Sequence, residues 1–232
     1  KYSNRQLSRG KFSGTITIPE LILTGVSQEI PPLKIGANFL IPIAQPENGT
    51  IALNELIIPW GGGEVSTKPV AIAISMKKPI NISIQLRSVN LSEMLGKVSE
   101  GRIQGTGKIS GILPFTYYPD GHITLQPGEA EATEMGTITV SPDLLPGDNS
   151  QLAVTRSALE NFHYTKLKIS VSSTDGDKSV LHLELDGTNP AALGDRPIKL
   201  NVNISGDLIP LIQQSLLAAN DLKQLLGFQE KP

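Results

Sequence analysis

The groups with which this chain could do acid–base, metal or nucleophilic chemistry are few and scattered. It has three histidines and no cysteine. His122, His163 and His182 stand far apart, two of them on the polar side of alternating segments. No His-Glu-x-x-His, no paired ligand spacing and no Gly-x-Ser-x-Gly occurs. Glu129, Glu131 and Glu134 alternate along what reads as a charged strand edge, a device that blocks edge-to-edge pairing. Gly61-Gly62-Gly63 reads as a flexible loop, because neither a Lys-Ser/Thr pair nor a helical pattern follows as in a phosphate-binding loop. The expectation is a protein that is no enzyme and carries no cofactor and no metal.

The elements around these residues are more telling. Glycine, any residue, isoleucine, any residue, aliphatic is written four times: Gly14–Ile18, Gly49–Leu53, Gly121–Leu125 and Gly136–Val140. Each reads as a turn followed by a strand with one apolar side. Leu33, Ile35, Ala37, Phe39, Ile41 and Ile43 share one parity, and residues 166–171, 181–186 and 198–205 alternate likewise. Period two with one polar side is the mark of an antiparallel sheet wet on one face. Thr174–Asp177 and Asp120-Gly121 read as hairpin turns. Helical signals are a short segment over Leu91–Lys97, capped by Asn90 with Glu93 as box partner, and another from about Leu152 to Asn161. A third, amphipathic helix runs over about 208–226, its Leu211, Leu216, Leu222 and Leu226 on a face that must dock on the sheet, a partner protein or a membrane surface.

The expected architecture is mainly β: a long twisted antiparallel sheet curled into an open groove or flattened barrel, forming a single domain over 1–232, with Ser141–Ser150 as a long loop. Aromatics are 4% of the chain, so its interior must be Ile, Leu and Val. The net charge of −2 gives no electrostatic footprint for nucleic acid. No stretch approaches 18 uninterrupted apolar residues, and the start at Lys1 reads as a piece cut from a longer protein.

One strand is unusual. From Arg102 to Phe115 the odd positions are Ile103, Gly105, Gly107, Ile109, Gly111, Leu113 and Phe115. Three missing side chains on one apolar face open a trough for a ligand, or else permit sharp coiling or the close approach of a helix. The apolar face expected to hold hydrocarbon consists of Ile80, Ile82, Ile84, Leu86, Ile103, Gly105, Gly107, Ile109, Gly111, Leu113, Ile123, Leu125, Leu181, Leu183, Leu185, Leu200, Val202 and Ile204.

The run Gly101-Arg-Ile-Gln-Gly105-Thr-Gly107-Lys-Ile-Ser-Gly111-Ile-Leu-Pro114, followed by Asp120-Gly121, resembles the core motif of the YdbH-like family, whose C-terminal domain is also catalogued as "dicarboxylate transport". Ala158–Tyr164, Gly187-Thr-Asn-Pro190 and Gly194-Asp-Arg-Pro197 agree, so the resemblance covers about 80–218. It departs at Glu134-Met135-Gly136, where the family tends to carry Pro-Gly-Gly. The resemblance implies an AsmA-like envelope protein of Gram-negative bacteria, anchored in the inner membrane outside this segment and reaching through the periplasm, whose apolar groove carries phospholipid. An outer-membrane protein or lipoprotein is an expected partner, met by an edge strand or the C-terminal helix. A dicarboxylate would need converging cations, and Arg5, Arg9, Arg87, Arg102, Arg156 and Arg196 do not cluster in sequence. An acyl chain needs apolar cover: at about 0.8 kcal/mol per methylene, sixteen carbons forgo roughly 12 kcal/mol in water. Lipid is the favoured cargo, with an assembly module of filled core as the alternative.

Overall fold

The computed structural model describes residues 10–22, 32–99, 101–145, 150–173 and 179–206. The elements are β1 (Lys11–Leu21), β2 (Leu33–Pro42), β3 (Thr50–Trp60), β4 (Gly63–Thr67), β5 (Val70–Ala73), β6 (Ile80–Asn90), α1 (Leu91–Val98), β7 (Ile103–Gly105), β8 (Lys108–Tyr117), β9 (Ile123–Leu125), β10 (Gly128–Ala132), β11 (Gly136–Val140), α2 (Ser150–Leu159), β12 (Phe162–Ser173), β13 (Ser179–Asn189), α3 (Pro190–Leu193) and β14 (Gly194–Gly206). All fourteen strands belong to one antiparallel sheet that does not close into a barrel. β1, β2 and β3 follow in order; β4 and β5 pair with successive stretches of β3; β4 leads to β6 and β8; β9 and β10 both pair with β8; β10 leads to β12, β13 and β14. A branch leaves the start of β12 through β11 to β7.

Turn chemistry sets the hairpins. Trp60 pairs with Gly63, so Gly61-Gly62 is a two-residue turn, and both residues sit at positive φ (55° and 69°), as a primed hairpin turn requires. The expected flexible loop is therefore a tight turn. Asp120-Gly121 forms the anticipated turn: Gly121 has φ of 89° and the His122 N–H donates to Asp120 Oδ1 at 3.1 Å. Gly49, Gly121 and Gly136 precede or open their strands, but Gly14 lies inside β1, where the Phe39 ring of the neighbouring strand covers it. Thr174–Asp177 and the 208–226 helix, with Leu211, Leu216, Leu222 and Leu226, lie outside the described residues.

Of five register shifts in the sheet, one falls between Gly187 and Asn189 where β13 turns toward β14, and the other four decide what the sheet buries. β3, β6 and β12 each gain one residue against a neighbour, at Gly36/Ala37 of β2, Leu86/Val89 and Tyr164/Lys166, and β1 shifts between Ile18 and Leu21. An extra residue switches sequence parity while the same side chains keep facing the same way. Thus Ile80–Leu86 of even number and Val89 of odd number share one face, as do Phe162 and Tyr164 with Leu167, Ile169 and Val171. Ser88, at φ of 50°, marks the β6 bulge, and its N–H donates to Ser110 Oγ at 3.0 Å.

The opposite face is polar and carries cross-strand ion pairs: Lys34–Glu55 at 3.0 Å, Lys168–Glu129 at 2.9 Å and Lys199–Asp186 at 3.5 Å. Glu129 and Glu131 are thus not on an edge: β10 lies between β8 and β12. Among the helices, α1 starts where expected, with Asn90 in extended backbone as N-cap, yet the Asn90 side chain makes no capping bond and the box with Glu93 is not formed. α2 begins and ends two residues earlier than the pattern suggests.

Candidate functional site: an apolar face across the sheet

Register ties the apolar residues into rows that cross the strands. One row runs Ile58, Val65, Leu86, Gly111, Ala130, Ile169, Leu183, Val202, through eight strands. At about 4.8 Å per strand it is roughly 34 Å long. Beside it run Ile84 with Leu113, Ile82 with Phe115 and Leu125, and Ile80 with Tyr117 and Ile123. Leu181 pairs with Ile204, Leu185 with Leu200, and Ile103 belongs to the branch through Val140. Of the expected residues, Gly107 alone lies off the strands, at the β7–β8 connection; all the rest share this face, Gly105 opposite Ile138 and Ile109 opposite Val89. The side chain of Ile204 is outside what is described.

The face is not uniform. On β1–β3 it is largely open to solvent: Phe12 is 67% exposed, Ile16 45% and Ile51 38%, while Leu33 and Ala37 of β2 are buried. Phe39, Leu53, Leu56 and Ile58 are half-buried there, and Val70 and Ile72 extend the same surface onto β5. Of the eleven large hydrophobic side chains that stand exposed among the described residues, eight lie between Phe12 and Met76, with Leu40 among them on the opposite face of β2. From β6 onward the face turns inward. Ile109, Ile138 and Leu183 are 0% exposed and pack in one cluster with Leu86, Val89, Phe162, Leu167, Ile169, Leu185 and Val202. Leu91 and Leu95 of α1, Leu145 ahead of α2 and Leu159 at the end of α2 complete it, while Ile84, Leu113 and Leu200 pack at its margin.

The three glycines of the unusual strand face occupied space. A Cβ on Gly105 would stand 2.8 Å from Leu91 Cδ2, and one on Gly111 would collide with the backbone of Glu129 and Ala130. Gly107 adopts φ of 101° beside the Tyr164 hydroxyl. That hydroxyl donates to the Thr106 carbonyl at 2.6 Å, and Tyr164 is almost wholly buried. Burial, and secondarily the Glu134 carboxylate, push the Tyr164 phenol above its ordinary value. The glycines therefore serve close approach: of α1, of a tyrosine and of the next strand.

Two concavities are lined otherwise. One of about 310 Å³ is bounded by Ser92, Gln104, Gly105, Thr106, Thr137 and Thr139. Another, of about 570 Å³, lies over β8 and β10 between Ser110 and Thr133. Neither includes the exposed rows of β1–β3. Among the described residues the arginines do not converge: Arg87 faces Glu64 at 3.7 Å, Arg102 faces Asp143 at 3.9 Å, and Arg156 donates to the Leu145 carbonyl. His182 lies against Asn203 and Glu184 on the polar face. Among the described residues no three His, Asp or Glu side chains form a metal-binding group. No described helix is long and apolar enough to cross a membrane.

A family model described as "YdbH-like: Intermembrane phospholipid transport protein YdbH" matches residues 5–227. The chain belongs to the YdbH-like family. No curated protein and no solved structure matches it. Membership assigns intermembrane phospholipid transport rather than catalysis as the family's role, and phospholipid as its cargo. The match reaches well before Ile80, where the motif resemblance begins, and takes in the open strands. Those strands are what sequence reasoning left off the lipid-facing set. Their signal was present in the shared parity of Leu33–Ile43 and the Gly14–Ile18 repeat, but the bulge at Asn54 hides the continuity from Leu53 to Leu56.

Proposed function

We propose that this YdbH-like segment is a stretch of a hydrocarbon conduit in the periplasm of a Gram-negative envelope, within a protein anchored in the inner membrane outside these residues. Acyl chains lie along the apolar face, and headgroups stay in water beyond its rim. The observation that carries the reading is the exposure of Phe12, Ile16 and Ile51 on the same face of β1–β3 as Leu56 and Ile58, where the rows of Ile16 and Ile51 end on β5 and the row of Ile58 continues through Val65 to Leu86 in the interior of the sheet. Soluble proteins rarely leave so long an apolar surface bare without a partner for it. From β1 to β4 the open part spans three strand spacings, about 14 Å, close to the roughly 15 Å of hydrocarbon in one leaflet. The eighteen expected positions supply the continuation of this face, with the half-buried Ile82, Ile84 and Leu113 at the transition. Residues 1–232 act as one β-groove unit in this reading, and an edge strand or the C-terminal helix meets an outer-membrane protein or lipoprotein.

A second reading is favoured by one specific observation. Ile109, Ile138 and Leu183 have no solvent exposure, so the C-terminal part of the face acts as scaffold. The two readings divide the molecule between them.

The test is co-purification. The chain isolated from cells should carry phospholipid detectable by mass spectrometry, and Phe39→Asp with Ile51→Asp should lose it while keeping the wild-type circular dichroism spectrum. Undiminished lipid in that variant would overturn the reading.

A further inference from the structure

We infer that helix α1 is the built-in stop of the groove, the point past which an acyl chain moving in from β1 cannot advance. The inference rests on the lipid-conduit reading above and adds to it where the conduit ends. α1 leaves β6 directly and lies against β7, two strands that the ladder does not join, so it bridges a gap in the sheet with side chains. Its first turn meets the β3–β4 hairpin at the border of the open face: the Asn90 N–H donates to the Gly61 carbonyl at 2.8 Å, and a Cβ on Gly61 would stand 3.2 Å from Glu93 Cβ. On its other side Leu91 sits over Gly105, and the Leu91 N–H donates to the Gly107 carbonyl at 2.9 Å. The trough opened by the glycines is thus filled by the chain itself.

The far end of α1 is tied down as firmly. The buried Ser99 hydroxyl donates to the Leu95 carbonyl at 2.6 Å and accepts from the Ile103 N–H at 2.8 Å. Ser88 and Gly101, both at positive φ, bracket the inserted segment. Hydrocarbon following the row Ile58–Val65 therefore meets Leu86, Val89 and Leu91, which are buried together in one packed cluster. Beyond them the face is continuous but full.

The experiment uses phosphatidylethanolamine bearing a diazirine in its acyl chain, presented in vesicles to the whole chain, photolysed, and mapped by peptide mass spectrometry. Adducts are expected on β2 and β3 and absent from β8, β11 and β13. In Leu91→Ala/Leu95→Ala, adducts should appear around Ile109 and Ile138. Gly105→Ala is the gentler second variant: its methyl drives Leu91 outward without emptying the core, and it should extend labelling in the same direction at lower yield. Adducts on wild-type β13 matching those on β3 would overturn the stop, as would an unchanged boundary in both variants. Absence of adducts on every strand would sink the conduit reading itself, and with it the stop.

Discussion

Strands β1–β3 and strands β8–β13 are written in the same alternating code, yet the first set leaves its apolar face open and the second buries it. Ile16 and Ile138 occupy equivalent places in the same glycine–isoleucine repeat; Ile16 is exposed and Ile138 is wholly buried. Alternation fixes which side of a strand is apolar, and says nothing of what covers that side. Cover comes from inserted helices and from how strongly the sheet coils. In the C-terminal part α1 and α2 are inserted between strands, and Gly105, Gly107 and Gly111 let backbone and side chains close in. Among the described residues between β1 and β6 no helix is inserted apart from the 3-10 turn Pro46–Asn48.

The sharpest way to break this contrast is a charge. Ile109→Asp should cost more than about 4 kcal/mol and abolish the cooperative urea transition, because the carboxylate has no partner in that cluster. Ile16→Asp should cost less than about 1 kcal/mol. Equal losses would mean that the open face is covered in solution. A milder comparison removes volume: Leu183→Ala should cost roughly 2–5 kcal/mol, while Ile51→Ala should cost under about 1 kcal/mol and reduce lipid retention instead. Next in size is Tyr164→Phe, which leaves the Thr106 carbonyl without its donor and should cost about 1–3 kcal/mol.

Tyr164 also gives a pH test. Its phenol is raised in the folded state, so the folded chain holds that proton more tightly than the unfolded one. The associated stability is fully present below the ordinary tyrosine value of 10.0 and is lost as pH climbs through the folded value. Urea midpoints of the wild type should fall more steeply than those of Tyr164→Phe over that alkaline range; parallel curves would show that burial does not hold the phenol neutral.

Much of the sheet was legible in the chain. Parity placed Ile80–Leu86, Leu181–Leu185 and Leu200–Ile204 on one face, and every strand of that set lies where alternation put it. Bulges were not legible. Val89, Phe162 and Tyr164 lie among the most buried side chains and escaped notice because a single extra residue reverses parity. The glycine strand was legible as a place of close approach, but the group that approaches, Leu91, belongs to a helix whose own pattern carries no address. The hairpin at Gly61-Gly62 was misjudged as loose because three glycines in a row are equally compatible with freedom and with two successive positive φ angles. The charged residues Glu129 and Glu131 resembled edge protection until pairing with β8 and β12 placed them inside the sheet.

The central claim is that the open apolar face of the N-terminal strands holds acyl chains. Its most direct test places a photoreactive amino acid, one position at a time, from Ala37 to Ile41 of β2 and asks which positions form lipid adducts in living cells. Adducts at Ala37, Phe39 and Ile41, with none at Asn38 and Leu40, are the result this account requires. Adducts that ignore this alternation, or none at Phe39, would contradict it.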